Sequence, residues 1–186
     1  MTLLEMKKKV LRLIEEISET NLTDDPDIES KLNDVINQVM FEVARMKKIP
    51  ELTTEEITAS DLELDLRTVD NFYQLEKIEF KNRTGEPAMA DVFGNYAVFP
   101  EEGTARIFYY KYPKRIKDDT EDEEYTFELS DDALEIMPYG VAADLLKSDV
   151  STGYGEVYAQ RYETMLQRLD PRYNMGGFFI EGGYDI

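Results

Sequence analysis

The sequence predicts an α+β domain with two helices first, a small antiparallel sheet in the middle, two further helices and an extended tail. Three observations predict this class. Apolar residues recur at helical spacing up to residue 50, alternate with polar residues in the middle of the chain, and recur at helical spacing again after residue 130. We expect a single domain, residues 1–186, whose parts can be assigned by number. They are a helical hairpin (1–50), a β-rich insertion (60–115), C-terminal helices (131–169) and a tail (170–186).

Two capping signals mark the first pair of helices. Thr2 and Glu5 have the spacing of a capping box, in which the hydroxyl accepts a backbone N–H and the carboxylate reaches back. Asp25 and Pro26 offer an N-cap followed by proline at the first helical position. The apolar faces comprise Leu3, Met6, Val10, Leu13, Ile14 and Ile17, then Ile28, Leu32, Val35, Ile36, Val39, Met40 and Val43. Because only a short polar break separates the helices, we expect an antiparallel hairpin that ends before Pro50.

The middle of the chain has the two-residue period of β-strands. The candidate strands are Leu62–Leu66 and residues 75–80, 95–99 and 105–112. The last of them, Ala-Arg-Ile-Phe-Tyr-Tyr-Lys-Tyr, is the strongest because it is rich in β-branched and aromatic residues. Turn sequences at 82–85 and 100–103 separate the candidates. Strands at this spacing predict an antiparallel meander.

The helices after residue 130 carry a row of tyrosines. Pro138 lies in the first of them and either opens that helix or kinks its first turn. Ser151 is a candidate N-cap for the second. Tyr154, Tyr158 and Tyr162 recur every four residues on this second helix, so they share one face, which we call the tyrosine stripe. Core packing and a contact between subunits both explain it, since tyrosines are enriched at interfaces.

The tail has an unusual composition for a chain terminus. Pro171 ends the preceding helix because it has no N–H for the helical ladder. Two Gly-Gly pairs, 176–177 and 182–183, flank an apolar segment, whereas disordered tails are normally poor in aromatics. We predict that the tail docks on another molecule; the alternative is that it folds back over its own domain. The predicted partner-binding residues are Tyr173, Phe178, Phe179, Ile180 and Tyr184.

Composition restricts the possible functions. The chain has no Cys and no His, which excludes disulfides, thiolate metal sites and histidine-dependent catalysis. The run 118–124 lacks the glycine that an EF-hand needs at its sixth position. We predict no enzymatic activity, no cofactor and no metal. The net charge of −19 disfavours tight DNA binding because it repels phosphates, but it permits passing contact.

Several segments together resemble the head–tail connector (adaptor or neck) proteins of tailed bacteriophages. The opening helix pair contributes Glu42-Val-Ala-Arg45, so the resemblance covers most of the chain. The other segments are Ile107-Phe-Tyr-Tyr-Lys-Tyr-Pro113, the acidic linker after it, Leu134-Glu-Ile-Met-Pro-Tyr-Gly-Val-Ala-Ala-Asp-Leu-Leu146 and the Tyr-rich helix ending Met165-Leu-Gln-Arg-Leu169.

This resemblance implies a single adaptor domain, a helical bundle of about four helices with an inserted small antiparallel β-sheet. It also implies a ring of about twelve copies below the portal vertex, which joins the capsid to the tail and prolongs the DNA channel. The implied partners are the portal protein, tail or nozzle proteins and other copies of the chain. DNA would pass transiently without specific binding, and no membrane is involved. The implied location is the virion, after synthesis in the host bacterial cytoplasm.

The resemblance gives roles to two sets of residues. A negatively charged channel wall would let DNA slide, and the tyrosine stripe would contact the neighbouring subunit. The predicted channel-lining residues are Asp118, Asp119, Glu121, Asp122, Glu123 and Glu124, unless this loop is solvated on the outer rim. An alternative function is an acidic cytoplasmic assembly chaperone or binding protein, whose charge mimics nucleic acid or shields a basic partner.

Overall fold

The computed structural model describes residues 1–18, 22–83, 85–147 and 153–169. This part of the chain contains four α-helices, six β-strands and one 3₁₀ turn, which confirms the α+β class. The helices are α1 (Leu3–Leu13), α2 (Pro26–Lys47), α3 (Asp131–Leu145) and α4 (Tyr154–Arg168). The strands are β1 (Ile49–Ile57), β2 (Glu63–Asp65), β3 (Phe72–Phe80), β4 (Asp91–Phe93), β5 (Tyr96–Val98) and β6 (Gly103–Lys111), with the 3₁₀ turn at Leu66–Thr68.

Both predicted capping signals begin their helices. The Thr2 hydroxyl accepts from the Glu5 N–H at 3.2 Å, and the Thr2 N–H donates to the Glu5 carboxylate at 2.9 Å. At α2, the Asp25 carboxylate accepts from the N–H groups of Asp27 (2.8 Å) and Ile28 (3.3 Å). These bonds satisfy N–H groups that have no partner inside the helix, so both capping predictions are confirmed.

Two residues that the sequence singled out, Pro138 and Ser151, are not the residues at which the later helices begin. Helix α3 starts at Asp131, so Pro138 lies well inside it, and the prediction that this proline opens the helix or kinks its first turn is wrong. The N-cap of α4 is Gly153, with φ of 67°, a left-handed conformation that favours glycine. The candidate cap Ser151 lies outside the described residues.

Helix α3 lies at the centre of the helical bundle. Helices α1, α2 and α4 each pack mainly against it, so the two helices of the expected hairpin both pack on α3. Its buried residues are Ala133, Leu134, Ile136, Met137, Pro138, Gly140, Val141 and Ala142. The first and last helices are joined as well, because the Tyr158 hydroxyl donates to the Leu13 carbonyl at 2.8 Å. No described helix is both long and apolar enough to cross a membrane.

The strands form two three-stranded antiparallel sheets, with orders β1-β6-β3 and β2-β5-β4. The predicted meander is wrong. In a meander each strand pairs with the next one along the chain, whereas β6 lies between β1 and β3. Ile49 pairs with Lys111 and Ile57 with Gly103, which fixes the register of the β1–β6 pair. Strand β1 was not predicted, and it contains Pro50. An edge strand tolerates proline since one row of its backbone N–H groups has no partner strand.

The helices and the sheets have separate hydrophobic cores. The β core contains Ile57, Leu66, Val69, Ile78, Phe80, Ala97, Phe99, Ala105, Ile107 and Tyr109. The linker between these cores, residues 112–130, is held by polar contacts at two places. Lys111 forms ion pairs with Glu51 and Glu128, each at 2.8 Å. The buried Asn37 side chain donates to the Ile116 carbonyl at 2.8 Å and accepts from the Ile116 N–H at 2.9 Å. The linker after β6 is therefore attached to both the sheet and α2.

Candidate functional site

The acidic loop, residues 118–124, lies over the N-terminus of α1. The Leu4 N–H donates to the Asp122 carbonyl and the Leu3 N–H to the Tyr125 carbonyl, each at 3.0 Å. These donors belong to the first turn of a helix, where N–H groups have no intrahelical partner. Carboxylates near a helix N-terminus are also favoured by the helix dipole. The loop is therefore held against the helical bundle by backbone bonds that do not depend on its side chains.

One predicted channel-lining residue has a partner inside the subunit. The Asp122 carboxylate accepts from the Lys7 ammonium at 2.8 and 2.9 Å, and Lys7 is only 8% exposed. Such a charge-assisted contact stabilises a nearly buried ammonium group. The remaining carboxylates of the loop are exposed. They are Asp118, Asp119, Glu121, Glu123 and Glu124.

The segment after the loop anchors it in the helical core. Tyr125, Phe127 and Leu129 are buried there, and the rings of Tyr125 and Phe127 meet edge to face at 5.2 Å. The Tyr125 hydroxyl donates to the Lys114 carbonyl. Burial, with a smaller contribution from the charge of Glu128, raises the pKa of Tyr125 to about 12. The loop thus presents five carboxylates on a fixed base.

The tyrosine stripe changes from exposed to buried along α4. Tyr154 is 56% exposed, Tyr158 is half-buried and Tyr162 is 8% exposed. The Tyr162 hydroxyl donates to the Glu42 carboxylate on α2 at 2.8 Å. Burial and then this hydrogen bond raise the pKa of Tyr162 far above its ordinary value. The ring of Tyr162 therefore packs within its own subunit.

The exposed end of the stripe presents apolar side chains to solvent. Tyr154 stacks on Tyr158 with ring centroids 6.5 Å apart, and the neighbouring Val157 is 59% exposed. The predicted subunit contact at Tyr154, Tyr158 and Tyr162 stays a prediction, and the geometry favours its Tyr154 end. The predicted tail residues Tyr173, Phe178, Phe179, Ile180 and Tyr184 lie outside the described residues.

The β4–β5 hairpin forms an apolar protrusion that the sequence analysis missed. Phe93, at the end of β4, is 85% exposed, and the nearby Met89 is 88% exposed. Gly94, with φ of 60°, begins the two-residue turn to Tyr96. The signal was present in the sequence, because Gly94-Asn95 between two aromatic residues is a hairpin pattern.

A cationic groove runs between α1, α3 and α4 and was also missed. Its volume is about 370 Å³. The Arg161 guanidinium lies 4.2 Å from the ring centroid of Tyr139, a cation–π contact that holds the charge at the groove. The groove is lined by Lys9, Arg12 and Arg161, by Leu13, Pro138, Tyr139 and Met165, and by Glu135. The run of basic residues Lys7–Lys9 was the only signal of this groove in the sequence. The sequence does not show which of these lysines lacks an ion-pair partner, because the partners lie far away along the chain.

Comparison with known families decides between the possible classes of protein. The family profile described as SU10 adaptor protein matches residues 1–178. The chain belongs to the SU10 adaptor protein family. This is a family of phage head–tail adaptors, so the resemblance drawn from the sequence is confirmed. None of the curated proteins compared matches the chain.

The match to the SU10 adaptor family includes the acidic loop, the tyrosine stripe, the hairpin and the cationic groove, and it ends within the tail at Phe178. Among the described residues, no group of three or more Asp and Glu side chains is arranged to hold a metal ion.

Proposed function

We propose that this chain is a structural head–tail adaptor of a phage virion, in which about twelve copies form a ring below the portal, join capsid to tail and extend the DNA channel. The family match over residues 1–178 is the observation that carries this proposal. A chain that continues a DNA channel needs a surface that DNA touches without adhering. A net charge of −19 supplies such a surface because it repels phosphates.

We place the exposed part of the acidic loop on the channel wall. Its five carboxylates project from a base that is bonded to α1 and anchored by Tyr125. A fixed base supports this role, since a loop that collapsed onto passing DNA would obstruct it. Asp122 acts differently, as the partner of Lys7 inside the subunit. The alternative is that the loop lies on the outer rim of the ring. In that case these carboxylates would not affect the movement of DNA.

The tail attaches the ring to the portal in this proposal. Ordering the tail costs roughly 1–2 kcal/mol per residue. Each buried Phe or Ile returns about 1.5–3 kcal/mol. A single tail, with Phe178, Phe179 and Ile180 as anchors and Tyr173 and Tyr184 beside them, therefore binds weakly. Repetition around a ring converts weak contacts into firm attachment, because the later contacts form at high effective concentration.

Electron microscopy of the full chain mixed with the portal protein of the same phage tests this function. We expect a ring coaxial with the portal, and we expect a chain truncated after Asp170 to melt at nearly the same temperature but to lose portal attachment. A monomer that forms no complex would contradict the adaptor function. If truncation lowers the free energy of unfolding by several kcal/mol, the tail belongs to the core of its own subunit.

The acidic composition also supports a second candidate, an assembly chaperone that shields a basic partner and leaves before the virion is complete. The two candidate functions differ in the final location of the protein. An adaptor stays in the finished particle, whereas a chaperone is absent from it.

A further inference from the structure

The β4–β5 hairpin presents an acidic rim around its apolar protrusion. The pairing of β2, β5 and β4 places Glu63 and Asp91 on either side of Val98, so these three side chains share the outer face. In the described part of the chain, neither carboxylate has an ion-pair partner. Phe93, 85% exposed, extends this face at the turn. Met89, Val92, Tyr96 and Val98 are exposed as well, so the hairpin carries a group of exposed apolar side chains of the kind that marks a contact surface.

The cationic groove has the opposite character. Arg161, Lys9 and Arg12 surround an apolar floor, and Glu135 is the one acidic residue among the side chains that line it. Lys9 and Arg12 have no ion-pair partner within the described residues. In a chain with 40 acidic and 21 basic residues, three cations around a recess are available for an acidic partner.

The hairpin and the groove lie in different parts of the subunit. The hairpin packs on the β core through Ala97, whereas the groove belongs to the helical bundle. A contact between them therefore joins two different surfaces of two copies. This is a heterologous interface, and it produces a ring when its rotation closes.

We propose that the cationic groove of one subunit receives the β4–β5 hairpin of a neighbouring copy. Phe93 enters the groove between Leu13 and Met165, and the carboxylates of Asp91 and Glu63 approach Arg12, Lys9 and Arg161. The apolar contact supplies affinity, and the opposite charges select the orientation. This proposal rests on the proposed ring and adds the pair of surfaces that forms it.

Disulfide cross-linking tests this interface, because the chain contains no cysteine of its own. The double variant Asn95→Cys, Glu135→Cys places one thiol at the hairpin turn and one at the groove, both at exposed positions. Under mild oxidation of the full chain at high concentration we expect a ladder of covalent oligomers. Each single variant alone should give no ladder. The matched control is Leu52→Cys, Glu135→Cys, because Leu52 is exposed on β1, away from the hairpin.

Sedimentation of Phe93→Ser provides an independent readout. We expect the dissociation constant of self-association to rise by roughly thirtyfold, the effect of removing an interface anchor. The melting temperature should be unchanged. Leu52→Ser should leave association unaltered. The proposal is overturned if the wild-type chain self-associates but the Asn95→Cys, Glu135→Cys variant gives no covalent ladder, if the control gives the same ladder, or if the wild-type chain stays monomeric at its highest soluble concentration. Portal binding by microscopy is measured separately, so the failure of this interface and the failure of the adaptor function can be distinguished.

Discussion

The ring of Tyr162 lies directly against the backbone of Gly140. A Cβ atom on residue 140 would fall 2.8 Å from the Cε2 atom of that ring and 3.0 Å from a methyl group of Val39. The Tyr162 hydroxyl reaches Glu42 on α2. This one tyrosine therefore joins α2, α3 and α4, and the bundle needs a glycine at position 140 because α4 approaches α3 closely there.

Substitution Gly140→Ala should destabilise the subunit. Inserting a methyl group into a packed core costs typically about 1–3 kcal/mol. Alanine returns about 1 kcal/mol through its higher helix propensity, so we expect a net loss of up to about 2 kcal/mol. Denaturant unfolding of wild type and variant measures this difference. In a Tyr162→Leu background the loss should shrink, because the ring that the methyl group meets is absent; an undiminished loss would mean that the clash lies elsewhere.

Because Asp122 pairs with Lys7, this one carboxylate of the acidic loop should contribute to the stability of the subunit. Asp122→Asn leaves a nearly buried ammonium without its carboxylate partner. We expect the free energy of unfolding to fall by about 1.5–3 kcal/mol, the range of hydrogen bonds to charged groups. The matched control Asp118→Asn changes an exposed carboxylate and should stay within about 0.5 kcal/mol of wild type. Equal stabilities of the two variants would show that the pair contributes nothing to the fold.

The contact between Glu51 and Lys111 should make stability depend on pH. The hydrogen bond from Lys111 lowers the pKa of Glu51 below its ordinary value of 4.5. A carboxyl group with a lowered pKa contributes stability that is fully present above its unfolded-state pKa and is lost as pH falls through the folded-state value.

We therefore expect Glu51→Gln to cost about 0.5 kcal/mol at neutral pH, as partly exposed pairs do. The difference from wild type should vanish well below pH 4.5. Unfolding curves at a series of pH values measure it, with Glu123→Gln as an exposed control. A difference that is constant across this pH range would exclude Glu51 as the titrating group.

The channel assignment predicts an effect on DNA ejection. Five substitutions neutralise the exposed carboxylates while keeping the Asp122–Lys7 pair. They are Asp118→Asn, Asp119→Asn, Glu121→Gln, Glu123→Gln and Glu124→Gln. With less repulsion DNA should adhere to the wall, so ejection should slow at low salt, and the difference should shrink as salt screens the charges. Phage carrying an equal number of neutralised carboxylates on the β-rich insertion controls for net charge. Wild-type ejection at every salt concentration would place the loop on the outer rim.

Local signals in the sequence predicted much of the helical part. The capping residues Thr2 and Asp25 fixed two helix starts, because capping depends on neighbours within three residues. Strand β1 was missed for the opposite reason. Its partner β6 lies distant in sequence, and Pro50 hides its alternating pattern.

Partners distant in sequence also explain what could not be predicted about the candidate sites. Helical spacing put Tyr154, Tyr158 and Tyr162 on one face, but the position of Glu42 on another helix decides that Tyr162 is buried. Asp122 looks like its acidic neighbours in sequence, yet its partner Lys7 is 115 residues away. The same holds for the cationic groove, which forms only where three helices meet.

The copy number of this protein in purified virions tests the adaptor function most directly. Quantitative mass spectrometry of finished, DNA-filled particles should find the chain together with the portal protein, in about equal copies as expected for a ring of about twelve. A protein abundant in the infected cell but absent from the finished particle would contradict the adaptor function and support the chaperone.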